Sequence, residues 1–127
     1  MKESVEGLVT VVTGASVGMG AAIAKRLASE GSRVVLAARR MDRLESLAAE
    51  IQQGGGSALA VECDVTDYAR VAALADRAVA EFGQIDIMVN NAGFGNLKDF
   101  ADTTVEEIDS QIDVNVKGVC YGSKAVL

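Results

Sequence analysis

Val9-Thr10-Val11-Val12-Thr13-Gly14-Ala15-Ser16-Val17-Gly18-Met19-Gly20-Ala21-Ala22-Ile23 is the stretch whose reading decides the fold. Its first residues are apolar and mostly β-branched, the composition of a buried strand. The run breaks at Gly14, crosses a loop of small residues and resumes as a helix-forming Ala/Ile/Leu segment. Gly14, Gly18 and Gly20 therefore fall at a strand-to-helix junction, with G-x-x-x-G-x-G spacing. Gly14 suits a tight turn that a side chain would resist. Gly18 lets the backbone approach a diphosphate, and Gly20 lets the helix pack closely on its strand. The start of the helix then offers free N–H groups and the positive end of its dipole to an anion. Three glycines alone also describe a flexible loop. The strand before them, the helix after them and a second strand at the right distance favour a phosphate cradle.

Outward from this stretch, apolar runs alternate with helical patterns, as repeated βαβ units require. Strands are expected near Leu8–Val12, Arg33–Ala38, Ser57–Glu62 and Ile85–Asn90, and helices near Gly18–Glu30, Met41–Gln53 and Tyr68–Phe82. Met41, Leu44, Leu47, Ala48 and Ile51 form one apolar stripe; Val71, Leu74, Ala75, Ala78 and Phe82 form another. Such stripes pack on a sheet. Gly31, Gly54-Gly55-Gly56 and Gly83 stand where the helices should stop, and Asp67 is placed to cap the third. A last helix should run from near Thr104 to the chain end. The fold class is α/β: a doubly wound, Rossmann-like parallel sheet of strand order 3-2-1-4, forming a single domain over residues 1–127. The switch point lies between the first and fourth strands. The Gly14–Gly20 loop and the segment after Asn90 thus share one crevice.

Composition narrows the partners. A chain of 127 residues, 50% of them hydrophobic, suffices for one core. The net charge of −6 argues against a nucleic-acid partner. Met1-Lys2-Glu3-Ser4-Val5-Glu6-Gly7 lacks the apolar centre of a signal peptide, and no apolar run is long enough to cross a membrane. Cys63 and Cys120 are too few and too far apart for a disulfide framework, and with no histidine a zinc site is not expected. The expectation is a cytoplasmic, metal-free protein with reduced, structural thiols.

In dinucleotide folds, an acidic residue past the glycines commonly holds the adenosine ribose hydroxyls. Here the second strand ends Leu36-Ala37-Ala38-Arg39-Arg40, without a carboxylate. Arg39 is placed to pair with a ribose 2′-phosphate through charge-assisted hydrogen bonds, which favours NADP over NAD. An arginine pair at a helix start also reads as plain solvated surface.

Four motifs, Thr13-Gly14-Ala15-Ser16-Val17-Gly18-Met19-Gly20, Cys63-Asp64-Val65-Thr66, Asn90-Asn91-Ala92-Gly93 and Asn115-Val116-Lys117-Gly118, follow one another in order. Together, from Leu8 onward, they resemble the short-chain dehydrogenase/reductase family. Met19 stands where isoleucine is more usual. The resemblance implies that Gly14, Ser16, Gly18, Met19 and Gly20 line the diphosphate and adenosine ribose of a bound NADP, with Arg39 on its 2′-phosphate. It implies that Asp64 and Val65 bracket the adenine, and that Asn90, Ala92 and Gly93 run beside the ribose toward the nicotinamide. Asn115 then corresponds to the family's helix asparagine, the catalytic position that supports a water chain in proton transfer.

Each residue also has a plainer reading. Asp64 is suited to capping a turn, and Asn90 and Asn91 to stabilising the loop after a strand. Asn115 shares a helical face with Ile108, Ile112 and Val119, so it is expected to be buried with its amide hydrogen-bonded. The family's proton-transferring tyrosine and lysine, spaced Y-x-x-x-K on a later helix, find no counterpart up to Leu127. The chain thus corresponds to the family's cofactor-binding half, truncated after the fourth strand and the following helix. Tyr121-Gly122-Ser123-Lys124 is spaced Y-x-x-K on Asn115's own helix, and neither Tyr121 nor Lys124 is assigned a catalytic role.

The fourth strand looks buried on both faces, yet would form an open sheet edge. Self-association through this edge and the last helix is expected. The leading function is an NADP-dependent oxidoreductase of a carbonyl or alcohol substrate. The alternatives are a non-catalytic nucleotide-binding or assembly module and a carboxylate-based hydrolase, such as a glycosidase drawing on Asp64, Asp86, Asp99 and Asp102 near the crevice.

Overall fold

Val9–Thr13 forms β1, and all five of its residues are buried. The burial follows from position, because β1 has a hydrogen-bonded neighbour on each side. In this computed structural model, which describes residues 4–127, one parallel sheet runs in the order β3-β2-β1-β4. Met1, Lys2 and Glu3, the start of the stretch read for a signal peptide, lie outside the described residues. The other strands are β2 (Arg33–Ala38), β3 (Ser57–Glu62) and β4 (Ile87–Val89). The helices are α1 (Gly18–Ser29), α2 (Met41–Gln53), α3 (Tyr68–Phe82), α4 (Val105–Ile112) and α5 (Gly118–Val126). The order 3-2-1-4 is the one expected, and it places β1 against β4 at the switch point.

Successive residues of β1 and β2 point to opposite faces and build two cores. Val12, Val34 and Leu36 pack with Ala24 and Ala28 of α1 and with Leu44, Leu47 and Ile51 of α2. Val11, Val35 and Ala37 pack with Cys63, Val71, Leu74 and Ala78 on the α3 side. The register sets Val9 beside Arg33 and Thr10 beside Ile87. The helix punctuation follows the side chains. Asp67 caps α3 by accepting from the Ala69 N–H at 3.0 Å, and Gly83 ends that helix in a left-handed conformation. Thr104 and Glu107 form a reciprocal capping box that starts α4.

Three expectations need correction. β1 begins and ends one residue later than Leu8–Val12. β4 is three residues long rather than Ile85–Asn90, and it is half-buried rather than covered on both faces. Its first expected residues are diverted: the Asp86 carboxylate accepts from the Val9 N–H at 2.8 Å, and the Asp86 N–H donates to the Val9 carbonyl. The last helix is not uniform either. Residues 113–117 form a π turn between α4 and α5, so one extra residue is accommodated within a continuous helical run.

Candidate functional site

β1 delivers the chain to the bend at the carboxyl rim of the sheet. Gly14 has φ +64, and a Cβ there would lie 2.8 Å from the Ala92 Cα, so the turn and the close approach both exclude a side chain. Gly20 is buried under the bend, where a Cβ would collide with the Gly14 carbonyl oxygen. Helix α1 therefore starts pressed against the loop that precedes it. Its N-cap, Val17, offers no side-chain acceptor, and its first turn holds no acidic residue. The amides of Gly18, Met19 and Gly20 make no backbone hydrogen bond among the described residues. Space beside Gly18 is open, with nothing within 4 Å of a Cβ placed there. Unpaired amides, a helix dipole and an open approach fit an anion, and a diphosphate in particular.

The bend is locked by two residues to which the sequence reading gave no cofactor role. The Thr13 hydroxyl oxygen accepts from the N–H groups of Asn91 and Ala92, each at 3.0 Å. The Asn91 side-chain amide donates back to the carbonyls of Thr13 at 3.1 Å and Gly14 at 3.2 Å. The plainer reading of Asn91 as a loop stabiliser thus holds, and the loop it stabilises is the glycine bend. The signal in the sequence was slight: a hydroxyl at the end of a strand whose other residues are mostly valine.

Around the bend opens a cleft of about 700 Å³, within the range of small-molecule sites. Gly14, Ser16, Met19, Arg39, Asp64, Val65, Ala92 and Gly93 all line it. Gly18, Gly20, Asn90 and Asn115 do not. Gly18 sits at the start of α1, Gly20 beneath the bend, and Asn90 and Asn115 lie behind the loop after β4. Arg39 makes no hydrogen bond or ion pair among the described residues, whereas Arg40 is held by Asp42. Asp64 caps its own turn, one oxygen accepting from the Thr66 N–H at 3.0 Å and the Thr66 hydroxyl at 2.7 Å. Those bonds, aided by Arg39 and Arg70, hold the Asp64 carboxyl below its ordinary range. Cys63 is buried in the cleft floor, and burial, reinforced by the charge of Asp64, pushes its thiol up to about 11.

Asn115 differs from its expected setting. It is exposed rather than buried, and so are Ile112 and Val119 of the face it was expected to share. Its amide is nevertheless fully engaged: Oδ1 accepts from the Phe94 N–H at 2.9 Å and Nδ2 donates to the Phe94 carbonyl at 2.7 Å. Asn115 thereby pins the loop that borders Gly93. Asn90 donates to the Ser123 hydroxyl at 3.3 Å, and its Oδ1 is buried without a hydrogen-bond partner against Gly122.

Tyr121 packs edge-on against Tyr68 of α3, at 5.5 Å between ring centroids, and Lys124 lies over the same Tyr68 ring. Both therefore occupy the α3–α5 contact and not the cleft. The hydrolase arrangement fails on position. Asp86 lies at the opposite, amino end of the sheet, bonded to Val9, and neither Asp99 nor Asp102 lines the cleft.

A glycine bend with unpaired amides, set at the switch point of a 3-2-1-4 parallel sheet, defines the class of α/β dinucleotide-binding proteins. The chain belongs to the short chain dehydrogenase family, whose model matches residues 8–127. It is 39% identical over 121 residues to D-threitol dehydrogenase from Mycolicibacterium smegmatis, covering 95% of this chain and 46% of that protein. A short-chain type dehydrogenase/reductase from Mycobacterium marinum superposes with a TM-score of 0.93 at 38% identity, over 97% of this chain and 50% of that one. A short chain dehydrogenase from Burkholderia cenocepacia, solved in complex with NADP, matches with a TM-score of 0.91 at 38% identity, over 98% of this chain and 51% of that one. The chain spans about half the length of these relatives. The family is one of oxidoreductases that bind nicotinamide cofactors, and the Burkholderia cenocepacia neighbour holds NADP.

Proposed function

We propose that this chain is the cofactor-binding domain, over residues 1–127, of an NADP-dependent oxidoreductase acting on a carbonyl or alcohol substrate. One observation carries the reading: the unpaired amides of the Gly14–Gly20 bend and the unpaired guanidinium of Arg39 flank one cleft. The amides and helix dipole hold the diphosphate, Ser16 and Met19 flank it, and Arg39 pairs with the 2′-phosphate. Asp64 and Val65 border the adenine, while Asn90, Ala92 and Gly93 shape the path toward the nicotinamide. Bound there, the nicotinamide supplies or accepts a hydride. Asn115 is the asparagine of the proton-transfer network, and its bonds to Phe94 keep the adjoining loop in place.

The chain associates with a second copy through the open edge of β4 and the α4–α5 helix, whose Val105 and Val116 are 67% and 54% exposed. Its two unpaired thiols suit the reducing cytoplasm.

The test compares NADP and NAD affinity for the wild type and Arg39→Ala. The wild type should prefer NADP, and Arg39→Ala should abolish most of that preference while NAD binding persists. Equal binding of both cofactors before and after the substitution would overturn the assignment. Cofactor fluorescence with and without a carbonyl substrate separates an oxidoreductase from a binding module, which would bind without turnover.

A further inference from the structure

Arg39 and Arg40 are adjacent in sequence and both line the cleft, but their environments differ. Arg40 is clamped. Its Nε donates to one Asp42 carboxylate oxygen at 3.2 Å and its Nη2 to the other at 3.1 Å, a two-point ion pair. Arg39 has no such partner among the described residues. A two-point pair fixes the plane of a guanidinium as well as its position. The carboxylate end of the clamp is itself anchored, since Asp42 lies in the first turn of α2, where the helix dipole favours an anion. Asp42 titrates below its ordinary range, chiefly because of the Arg40 hydrogen bonds, so the pair stays charged at neutral pH.

The consequence for the cleft is a matter of charge counting. Besides Asp64, whose carboxylate is bonded to Thr66, the rim holds two guanidinium groups and, through Asp42, one further carboxylate. The charges of Arg40 and Asp42 offset one another, and the Nε–Nη2 edge of the Arg40 guanidinium is turned toward Asp42. At this rim Arg39 is therefore the guanidinium that has no carboxylate partner among the described residues. We infer that Asp42 is a specificity-determining residue that withholds Arg40 from the ribose 2′ position and so limits the preference for NADP over NAD. Asp42 need not touch the cofactor: it is a positioning residue, acting through Arg40. The inference rests on the reading of the cleft as a dinucleotide site, and not on which cofactor predominates in the wild type.

The experiment measures Kd for NADP and for NAD with wild type, Asp42→Asn, Arg39→Ala, Arg39→Ala/Asp42→Asn and Arg40→Ala/Asp42→Asn. Asparagine keeps the size of the side chain but removes the charge that holds Arg40. The ratio of NADP to NAD affinity should rise about two- to fivefold in Asp42→Asn, the scale of one exposed charge contact. In the Arg39→Ala background the same change should restore part of the lost NADP binding, because Arg40 becomes available. The gain should vanish when Arg40→Ala is added.

A merely structural role for Asp42 would weaken both cofactors together and leave the ratio unchanged, which would overturn the inference. So would a gain that survives Arg40→Ala. If instead Arg39→Ala leaves the ratio untouched, the assignment of the 2′-phosphate to Arg39 falls. The Asp42→Asn ratio, and its dependence on Arg40, then still decides this inference by itself.

Discussion

β1 and β4 are hydrogen-bonded neighbours in one sheet, yet the units they begin are held together differently. Every residue of β1 is buried, and α1 turns Gly20, Ala24 and Ala28 inward. No residue of β4 is fully buried, and neither is any residue of α4. The first unit is fixed by close packing: strand on strand, helix on bend, with no room for a methyl group at Gly20. The second is fixed by discrete polar links, namely the Thr104–Glu107 capping box, the Lys98–Glu107 ion pair and the Asn115–Phe94 pair. Dense burial tolerates little change, whereas separate hydrogen bonds can be lost one at a time. The glycine-bend side of the cleft is thus built into the core, and its other wall is attached to that core by Thr13 and Asn91.

Substitutions that load each region in turn should break or sharpen this contrast. The largest effect is expected from Gly20→Ala, whose methyl group meets the Gly14 carbonyl and the Asn91 amide. It should destabilise the protein by about 3 kcal/mol in chemical denaturation and weaken both nicotinamide cofactors together. A variant as stable as wild type would mean that α1 is not pressed on the bend. Next comes Thr13→Val, which keeps shape but leaves the Asn91 and Ala92 amides without their shared acceptor. A loss of about 2 kcal/mol is expected, with faster hydrogen exchange at both amides. Unchanged exchange would show that the two units are not joined there.

A smaller, pH-dependent effect should appear at Asp64. Its carboxyl is held below the ordinary range by Thr66, so its contribution to stability is complete above about pH 4 and fades as pH falls through the lower folded-state value. Thr66→Ala should raise the Asp64 titration midpoint seen by NMR and narrow that acid window. A midpoint that does not move would assign the shift to the Thr66 backbone N–H, which the substitution leaves in place. The smallest effect is expected from Val116→Ser on the exposed helix face. Its stability should stay within about 0.5 kcal/mol of wild type, while light scattering shows weaker self-association. A loss above about 1 kcal/mol would mean that this face contributes to the core after all.

The same contrast explains what the sequence revealed. Where burial decides structure, periodicity reads well. The first strand to within one residue, Arg33–Ala38, the stripes of α2 and α3 and the strand order follow from apolar spacing and glycine punctuation. The glycine bend was legible for the same reason, since only a residue without a side chain fits where Gly14 meets Ala92. Where single polar groups decide, the pattern says little. Nothing in Ile85-Asp86 announces that the Asp86 carboxylate turns back to the Val9 amide and shortens β4. Asn115 looked like a core polar residue because Ile108, Ile112 and Val119 share its face in a regular helix. That face is itself open to solvent at Ile112 and Val119, and no residue type in Asp113-Val114-Asn115-Val116-Lys117 announces the π turn. Thr13 and Asn91 act through partners 78 positions apart, which no local pattern reports.

The surplus residue in that turn makes the length of the final helix a question of phase. An α-helix advances about 100° per residue, so winding all of residues 113–117 as a regular α-helix would rotate everything after them. Gly118 would swing away from the Val65 methyl groups it now abuts, and Gly122 from the Asn90 side chain. Bulkier neighbours would arrive in their places. Insertions or deletions in this segment should therefore be accepted only when they restore the angular setting, so that the loop sealed by Asn115 and the surface seated on α3 stay geared to each other.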